Sequence, residues 1–358
     1  MVTIGQIMDA AVPQRASDIH IAPGGPVRIR VDGKLIPMGN YIMSHEEVEA
    51  ICIELSSETK YDTMRKIGEV DEGWSYKGRR CRVHLFRRQH EPAVALRLLN
   101  DDIPDMEKLR LPPAIHKFPD LERGIVIVTG ETGAGKSTTL ASIINTINHN
   151  YPKHIVTLED PIEYLYEEDK CYISQRQIGV DTVSYAEGLR ASLREDPDVI
   201  LIGEMRDPET VETALTAAET GHLVFGTLHT NSCADSIDRL VDVFPEARQN
   251  QIRLQLSQTL QAVVSQQLLP HLSGKGRVAA VEVMIVNSAI RNLIREAKTP
   301  QIANTIATSA HEGSVTMDNA LAQLALRKLI SHQDAIGAAM DREYVKKQLM
   351  TQGRSMAF

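Results

Sequence analysis

The sequence predicts an α/β fold for the larger, C-terminal part of the chain and a smaller α+β unit ahead of it. Three observations predict this. Short β-branched apolar runs alternate with helical patterns between residues 124 and 228, the mark of βαβ units around a mostly parallel sheet. One run, Ile125-Val126-Ile127-Val128, passes through a glycine-rich turn into a segment whose Leu140, Ile143, Ile144 and Ile147 recur at helical spacing. Ahead of these, "NDDIPDMEKLRLPP" at 100 to 113 is acidic and punctuated by prolines, as a linker would be. The expected organisation is a first domain over 1–100, a linker over 101–113 and a second domain over 114–358.

In the first domain, Val27-Arg28-Ile29-Arg30-Val31 alternates, Asp32-Gly33 supplies a tight-turn signal, and Lys34-Leu35-Ile36 resumes the strand pattern. Glu46 to Leu55 reads as a helix with Ser44 as its N-cap. Two further strands are expected around Arg80–Phe86 and Ala93–Leu99. In the second domain the expected strands are 124–129, 154–158, 198–202 and 222–228. After Pro245 the pattern reads as almost wholly helical, "RQNQIRLQLSQTLQAVVSQQLL" being its longest segment.

Composition narrows the function classes. No apolar run approaches the roughly 18 residues that a membrane-spanning helix needs, and the N-terminus lacks a signal-peptide layout; a soluble, cytoplasmic protein is expected. Cys52, Cys81, Cys171 and Cys233 stand far apart without a C-x-x-C pair, which points to neither a zinc site nor a disulfide framework. A net charge of −8, one Trp and five Phe oppose a nucleic-acid groove, which needs a basic face and aromatic rings for stacking.

The turn after residue 129 fits G-x-x-x-x-G-K-[ST], with Gly130, Gly135, Lys136 and Ser137. Strand, glycine loop and helix stand in the order a phosphate-binding loop requires. Glycines let backbone N–H groups curl around phosphate oxygens, and the helix start adds unpaired N–H groups and a positive dipole end. The nucleotide-binding candidates are therefore Thr132, Gly133, Ala134, Gly135, Lys136, Ser137 and Thr138. Lys136 is expected on the β- and γ-phosphates and Ser137 on Mg²⁺.

Such sites use a second strand that ends in an acid. In "DVILIGEMRD", 198 to 207, the strand-end position is Gly203 and the acid follows as Glu204, which suits a base that activates water. With no carboxylate at 203, "HIVTLEDPIEY", 154 to 164, could supply a metal ligand from Glu159, Asp160 or Glu163, or form a solvated loop. A further strand, in "TGHLVFGTLHTNS", ends near His229, a candidate donor to the γ-phosphate or to the attacking water; His222 at its start reads as structural.

"GETGAGKSTTLA", "TLEDPIEY", "LIGEMRDPET" and "TGHLVFGTLHTNS" together resemble the Walker A, Asp box, Walker B and His box of the secretion ATPase superfamily, in order and over nearly the whole chain. The glycine at 203 is also that family's habit. The resemblance implies a RecA-like P-loop ATPase domain behind a PAS-like N-terminal domain, the latter signalled by "ASDIHI" at 16 to 21. It assigns Glu204 and His229 to catalysis and Glu159 and Glu163, with Ser137, to the metal. It implies ATP and Mg²⁺ as cofactors; guanidinium groups stabilise charge spreading over the γ-phosphoryl oxygens, and Arg82, Arg97 and Arg239 are the candidates for that role. A homo-hexamer at the inner-membrane pilus base is implied, with a PilC-like platform protein as partner and an accessory retraction paralogue as a further one. Within the family "AIRNLIRE", 289 to 296, resembles a motif of the pilus-retraction branch; the assembly branch carries a four-cysteine zinc motif that this sequence lacks. Glu131, where that branch has proline, departs from the pattern.

Overall fold

The computed structural model describes residues 2–31, 34–99 and 103–355, except for the side chains of 352–355. The Asp32-Gly33 turn, residue 100 and residues 101–102 of the expected linker lie outside the described residues. The chain divides into two compact units, Met1–Ile103 with Pro161–Leu165, and Pro104–Asp160 with Tyr166–Phe358.

The first unit comprises α1 (Ile4–Ala11), β1 (Asp18–Ile21), β2 (Arg28–Val31), β3 (Lys34–Pro37), α2 (His45–Leu55), α3 (Glu58–Ile67), β4 (Glu69–Tyr76), β5 (Arg79–Arg88) and β6 (Glu91–Leu98). Its strands form an antiparallel sheet in the order β3-β2-β1-β6-β5-β4. One face buries Ile19, Ile29, Val83, Leu85 and Leu96 against Ile7, Met8, Ile51 and Leu55 of the helices, the alternation expected of a half-buried sheet. Ser44 caps α2: Glu47 N donates to its hydroxyl at 3.3 Å and the Glu47 carboxylate accepts from Ser44 N at 3.1 Å. The sequence reading passed over β4, because "EVDEGWSY" is polar and glycine-interrupted; it forms as an edge strand by pairing with β5.

The second unit comprises β7 (Gly124–Thr129), α4 (Lys136–Asn150), β8 (His154–Glu159), β9 (Tyr172–Gln177), α5 (Tyr185–Ser192), β10 (Val199–Ile202), α6 (Pro208–Glu219), β11 (Leu223–Thr227), α7 (Cys233–Asp242), α8 (Glu246–Thr259), β12 (Leu260–Pro270), β13 (Arg277–Ile285), α9 (Ser288–Arg295), α10 (Ile302–Thr308), α11 (Met317–Leu326), α12 (His332–Ala338) and α13 (Arg342–Ser355). The sheet order is β13-β12-β7-β11-β10-β8-β9. All neighbours run parallel except β13, which is antiparallel to β12. The central strands β7, β10 and β11 are buried throughout, and the C-terminal ends of β7, β11 and β10 meet on one edge, where ligands bind in such sheets.

Two expectations change. The helical reading after Pro245 holds only to Thr259; Leu260–Pro270 and Arg277–Ile285 are strands. β12, "LQAVVSQQLLP", is buried for most of its length, and its polar residues follow no period of two that would separate it from a buried helix. Pairing with β7 decides the matter for β12. Residues 104–113, expected as linker, pack onto the second unit: Met106 and Leu111 are buried in the core formed with Val126, Leu140 and Ile144.

A buried carboxylate joins the C-terminal helices to this sheet. Glu282 on β13, 6% exposed, accepts from Cys233 N at 2.8 Å and from Met317 N at 3.2 Å. It therefore satisfies donors at the N-termini of α7 and α11, where the helix dipoles favour an anion. Glu282→Ala leaves both N–H groups without that acceptor and should cost about 3 kcal/mol. A lower urea midpoint at unchanged m-value would register it; an unchanged midpoint would mean that the carboxylate contributes nothing.

Candidate functional site

The glycine loop leaves β7 after Thr129 and closes on the first turn of α4. Gly130 has φ 143°, and a Cβ there would stand 2.2 Å from the carbonyl oxygen of Gln266 on β12; only glycine permits this approach. Gln266 also holds the far end of the loop. Its Nε2 donates to the Ala134 carbonyl and its Oε1 accepts from the Thr139 hydroxyl, each at 2.9 Å. Lys136 is buried, its Nζ donating to the carbonyls of Gly130 at 2.7 Å and Glu131 at 3.1 Å. Thr132, Gly133 and Ser137 are exposed on the rim, with Ala134 buried beneath them and Thr138 half-buried.

The neighbouring strand β11 carries the next group. The Thr129 hydroxyl accepts from Thr230 N and donates to Thr230 O, both at 2.8 Å, fastening the start of the glycine loop to the loop that bears His229. The His229 ring then lies between two charges: Nδ1 is 3.5 Å from Lys136 Nζ and Nε2 is 3.0 Å from Glu204 Oε1. An ammonium offers only donors and a carboxylate only acceptors, so these contacts assign the neutral tautomer with Nδ1 accepting and Nε2–H donating. Burial and the Lys136 charge pull the imidazole below the ordinary histidine range, against the opposing pull of Glu204. Glu204 follows β10, its side chain 18% exposed, and Arg206 Nε also donates to its Oε1.

Gly203 explains its own presence. Its N–H donates to Leu158 O at 2.7 Å and its carbonyl accepts from the Thr227 hydroxyl at 2.5 Å. A Cβ would meet Leu158 O and the Tyr185 phenol oxygen, each at 3.0 Å. A side chain at this strand end would require Leu158 or Tyr185 to give by a few tenths of an ångström.

The Asp-box residues separate. Glu159 ends β8, three strands from β7, which is about 14 Å at normal strand spacing. Its Oε1 accepts from the Thr157 hydroxyl at 2.7 Å and from Gln175 Nε2 at 3.3 Å. Glu163 falls with Pro161–Leu165 in the first unit. Arg82 and Arg97 also belong to the first unit, directly opposite each other on β5 and β6. Arg82 pairs with Asp71 at 3.9 Å and Arg97 with Asp18 at 2.8 Å, around a cavity of about 350 Å³ that His20 and His84 also line. Burial raises the Asp18 carboxyl, but hydrogen bonds from Arg97 and Ser17 outweigh it and hold it below its usual range. Arg239 is exposed on α7. His222 is structural, its Nδ1 2.9 Å from the Ala217 carbonyl.

Sequence reasoning missed Gln266, Thr129 and Tyr185. Only Gln266 left a trace, in the polar triplet Ser265-Gln266-Gln267 that interrupts an otherwise largely apolar run. Beside the loop, a cavity of about 550 Å³ is lined by Leu109, Leu111, Thr138, Gln266, Leu268 and Arg277, among others. Among the described residues no cluster of three or more His, Cys, Asp or Glu is arranged to hold a metal.

Known proteins align with this arrangement. The profile of the family described as type II/IV secretion system protein matches residues 1–357. The type IV pilus retraction ATPase PilT of Pseudomonas aeruginosa is 43% identical over 333 residues, 93% of this chain and 96% of that protein. A twitching motility protein of Neisseria gonorrhoeae is 45% identical over 316 residues, 88% of this chain and 84% of that one. A crystal structure of the pilus retraction motor PilT with bound ADP superposes with a TM-score of 0.90 at 43% identity, covering 97% of this chain and 100% of the other.

The bridging position of His229 makes its titration testable. Because Lys136 lowers its pKa and Glu204 raises it, Lys136→Ala should move the midpoint up and Glu204→Gln should move it down. The pH dependence of carbethoxylation at the His229 peptide, read by mass spectrometry, should show both shifts. Equal midpoints in the three proteins would remove the bridge.

Proposed function

This chain belongs to the type II/IV secretion system protein family, and we propose that within it the protein is a PilT-type ATPase, which hydrolyses ATP to draw type IV pili back by removing pilin subunits at the fibre base. The observation that carries the reading is the line Lys136–His229–Glu204, in which one imidazole joins the phosphate-binding lysine to an acid on the next strand but one.

In this mechanism the glycine loop cradles the phosphates with its N–H groups, and Lys136 exchanges the carbonyls of Gly130 and Glu131 for phosphate oxygens. The cavity beside Thr138 and Leu268 takes the adenosine end. A water oxygen attacks the γ-phosphorus, the bond to the β–γ bridging oxygen breaks, and Glu204 accepts the water proton. Accepting it requires the Arg206 pair to give way, since the guanidinium occupies the same carboxylate oxygen. Neutral His229 keeps Glu204 oriented through its Nε2–H. The exposed Ser137 hydroxyl, with no all-protein cage beside it, fits Mg²⁺, which takes few protein ligands and keeps phosphate oxygens and waters. Ser137 would hold it, and it would neutralise charge on the phosphates. Arg82, Arg97 and Arg239 answer the remaining charge when a neighbouring subunit presents them. The working assembly is a homo-hexamer in the cytoplasm at the inner-membrane pilus base, acting on a PilC-like platform protein; no described helix is long and apolar enough to cross a membrane.

Glu204→Gln should keep nucleotide affinity and lose turnover by about 100-fold or more, since the amide cannot take a proton. Parallel loss of affinity and turnover would make Glu204 a metal ligand instead of the base.

The helix α9 separates motor from ATPase. Ile290 and Ile294 are buried and Leu293 packs beside them, as the apolar face of "AIRNLIRE" requires. Arg291, which pattern alone leaves off that face, is committed to the fold: its Nη1 donates to Ser257 O at 2.7 Å and Gln258 O at 3.1 Å, capping α8. Arg295 bonds only weakly within its own helix, to Asn292 at 3.3 Å, and is the cleaner probe. Cells lacking the gene should carry surplus surface pili. Arg295→Ala should fail to clear them while the purified protein hydrolyses ATP at the normal rate. Loss of pili in the deletion would instead favour an assembly motor, and normal clearance by the variant would reduce α9 to packing.

A further inference from the structure

The end of β10 holds a group that the mechanism above does not use. Gly203 has no side chain where a strand-end carboxylate would reach the site, and the vacated space belongs to Tyr185. Its phenol oxygen stands 3.0 Å from the first atom that any side chain at 203 would add. Local structure fixes it there. Ser184 caps α5 by accepting from Glu187 N at 3.2 Å, Tyr185 is the first residue of that helix, and its ring packs on the core of the second unit.

The surroundings are acidic. Burial and the carboxylates of Asp160, Glu204 and Glu159 push the phenol up, with Arg206 opposing, so the group keeps its proton throughout the working pH range. Among the described residues the phenol takes no hydrogen-bond partner, which leaves its O–H to whatever enters between these acids.

Resting on the hydrolytic reading above, we propose that Tyr185 is a further residue of the catalytic site, whose O–H donates to the attacking water in place of a strand-end aspartate. One lone pair of the water accepts from the phenol, one water proton faces Glu204, and the second lone pair is left to face phosphorus. Tyrosine suits the place because an added carboxylate would repel Glu204 and Glu159, whereas a neutral donor is attracted by both.

Tyr185→Phe removes one oxygen and keeps the ring on the core. In the full chain, thermal midpoint and ADP affinity should be retained. Turnover should fall by about 10-fold or more at unchanged KM. Gly203→Ala, which presses on the phenol oxygen, should slow the wild-type enzyme more than the Tyr185→Phe enzyme, so that the two changes are not additive. Wild-type turnover in Tyr185→Phe, or strict additivity, would overturn the assignment alone. A wild-type chain that binds ADP without ever hydrolysing ATP would overturn the hydrolytic reading and this one with it.

Discussion

The approach of the Gly130 main chain to the Gln266 carbonyl sets the position of everything that meets the phosphates. A loop brought so near a strand has no freedom to slide, and Gln266 then brackets its other end through Ala134 and Thr139. The residue before it, Ser265, points to the opposite face, as alternation along a strand demands. From there its hydroxyl holds the Asn231 carbonyl at 2.9 Å, in the loop that follows His229. Two consecutive residues of β12 thus restrain both the loop with the lysine and the loop with the histidine. The hydrogen bonds between Thr129 and Thr230 tie those loops to each other.

Within that frame the charges are ordered by what each group can donate or accept. Lys136 donates to loop carbonyls and to His229 Nδ1 until stronger acceptors arrive, and the neutral imidazole of His229 passes a donor to Glu204. Arg206 neutralises the same carboxylate from the solvent side. Phosphate entering this site competes with those carbonyls for the lysine and must also disturb the histidine. The close packing at Gly203 belongs to the same economy of space: the strand end is filled by a phenol reaching in from α5 and not by a side chain of its own.

Charged groups in the C-terminal region serve main-chain ends. Glu282 meets the N-termini of α7 and α11, and Arg291 meets the last carbonyls of α8, each with the sign that the helix dipole favours. Since α7 begins just after the His229 loop, Glu282 links that loop to α11 without touching nucleotide. Burial lowers the Arg291 guanidinium and Arg295 adds to the effect, so this cap carries a desolvation cost that its carbonyl contacts offset.

The glycine loop, its flanking strand and helix, the Glu204 and His229 strand ends and the Ser44 cap were all readable from residue order, because each is set by contacts within a few residues or by a spacing that the chemistry itself requires. What stayed hidden depends on partners distant in sequence. β12 was indistinguishable from helix until β7 lay beside it, residues 104–113 looked like linker until Met106 and Leu111 found a core, and Arg291 looked free until α8 ended next to it. Gly203 could be read as a missing carboxylate, but not as a position where any side chain would press on its neighbours. That constraint comes from Leu158 and Tyr185, brought to the same strand end only when β8, α5 and β10 pack. Local sequence specifies which groups are available and in which element; long-range packing decides which of them are held in place, and by what.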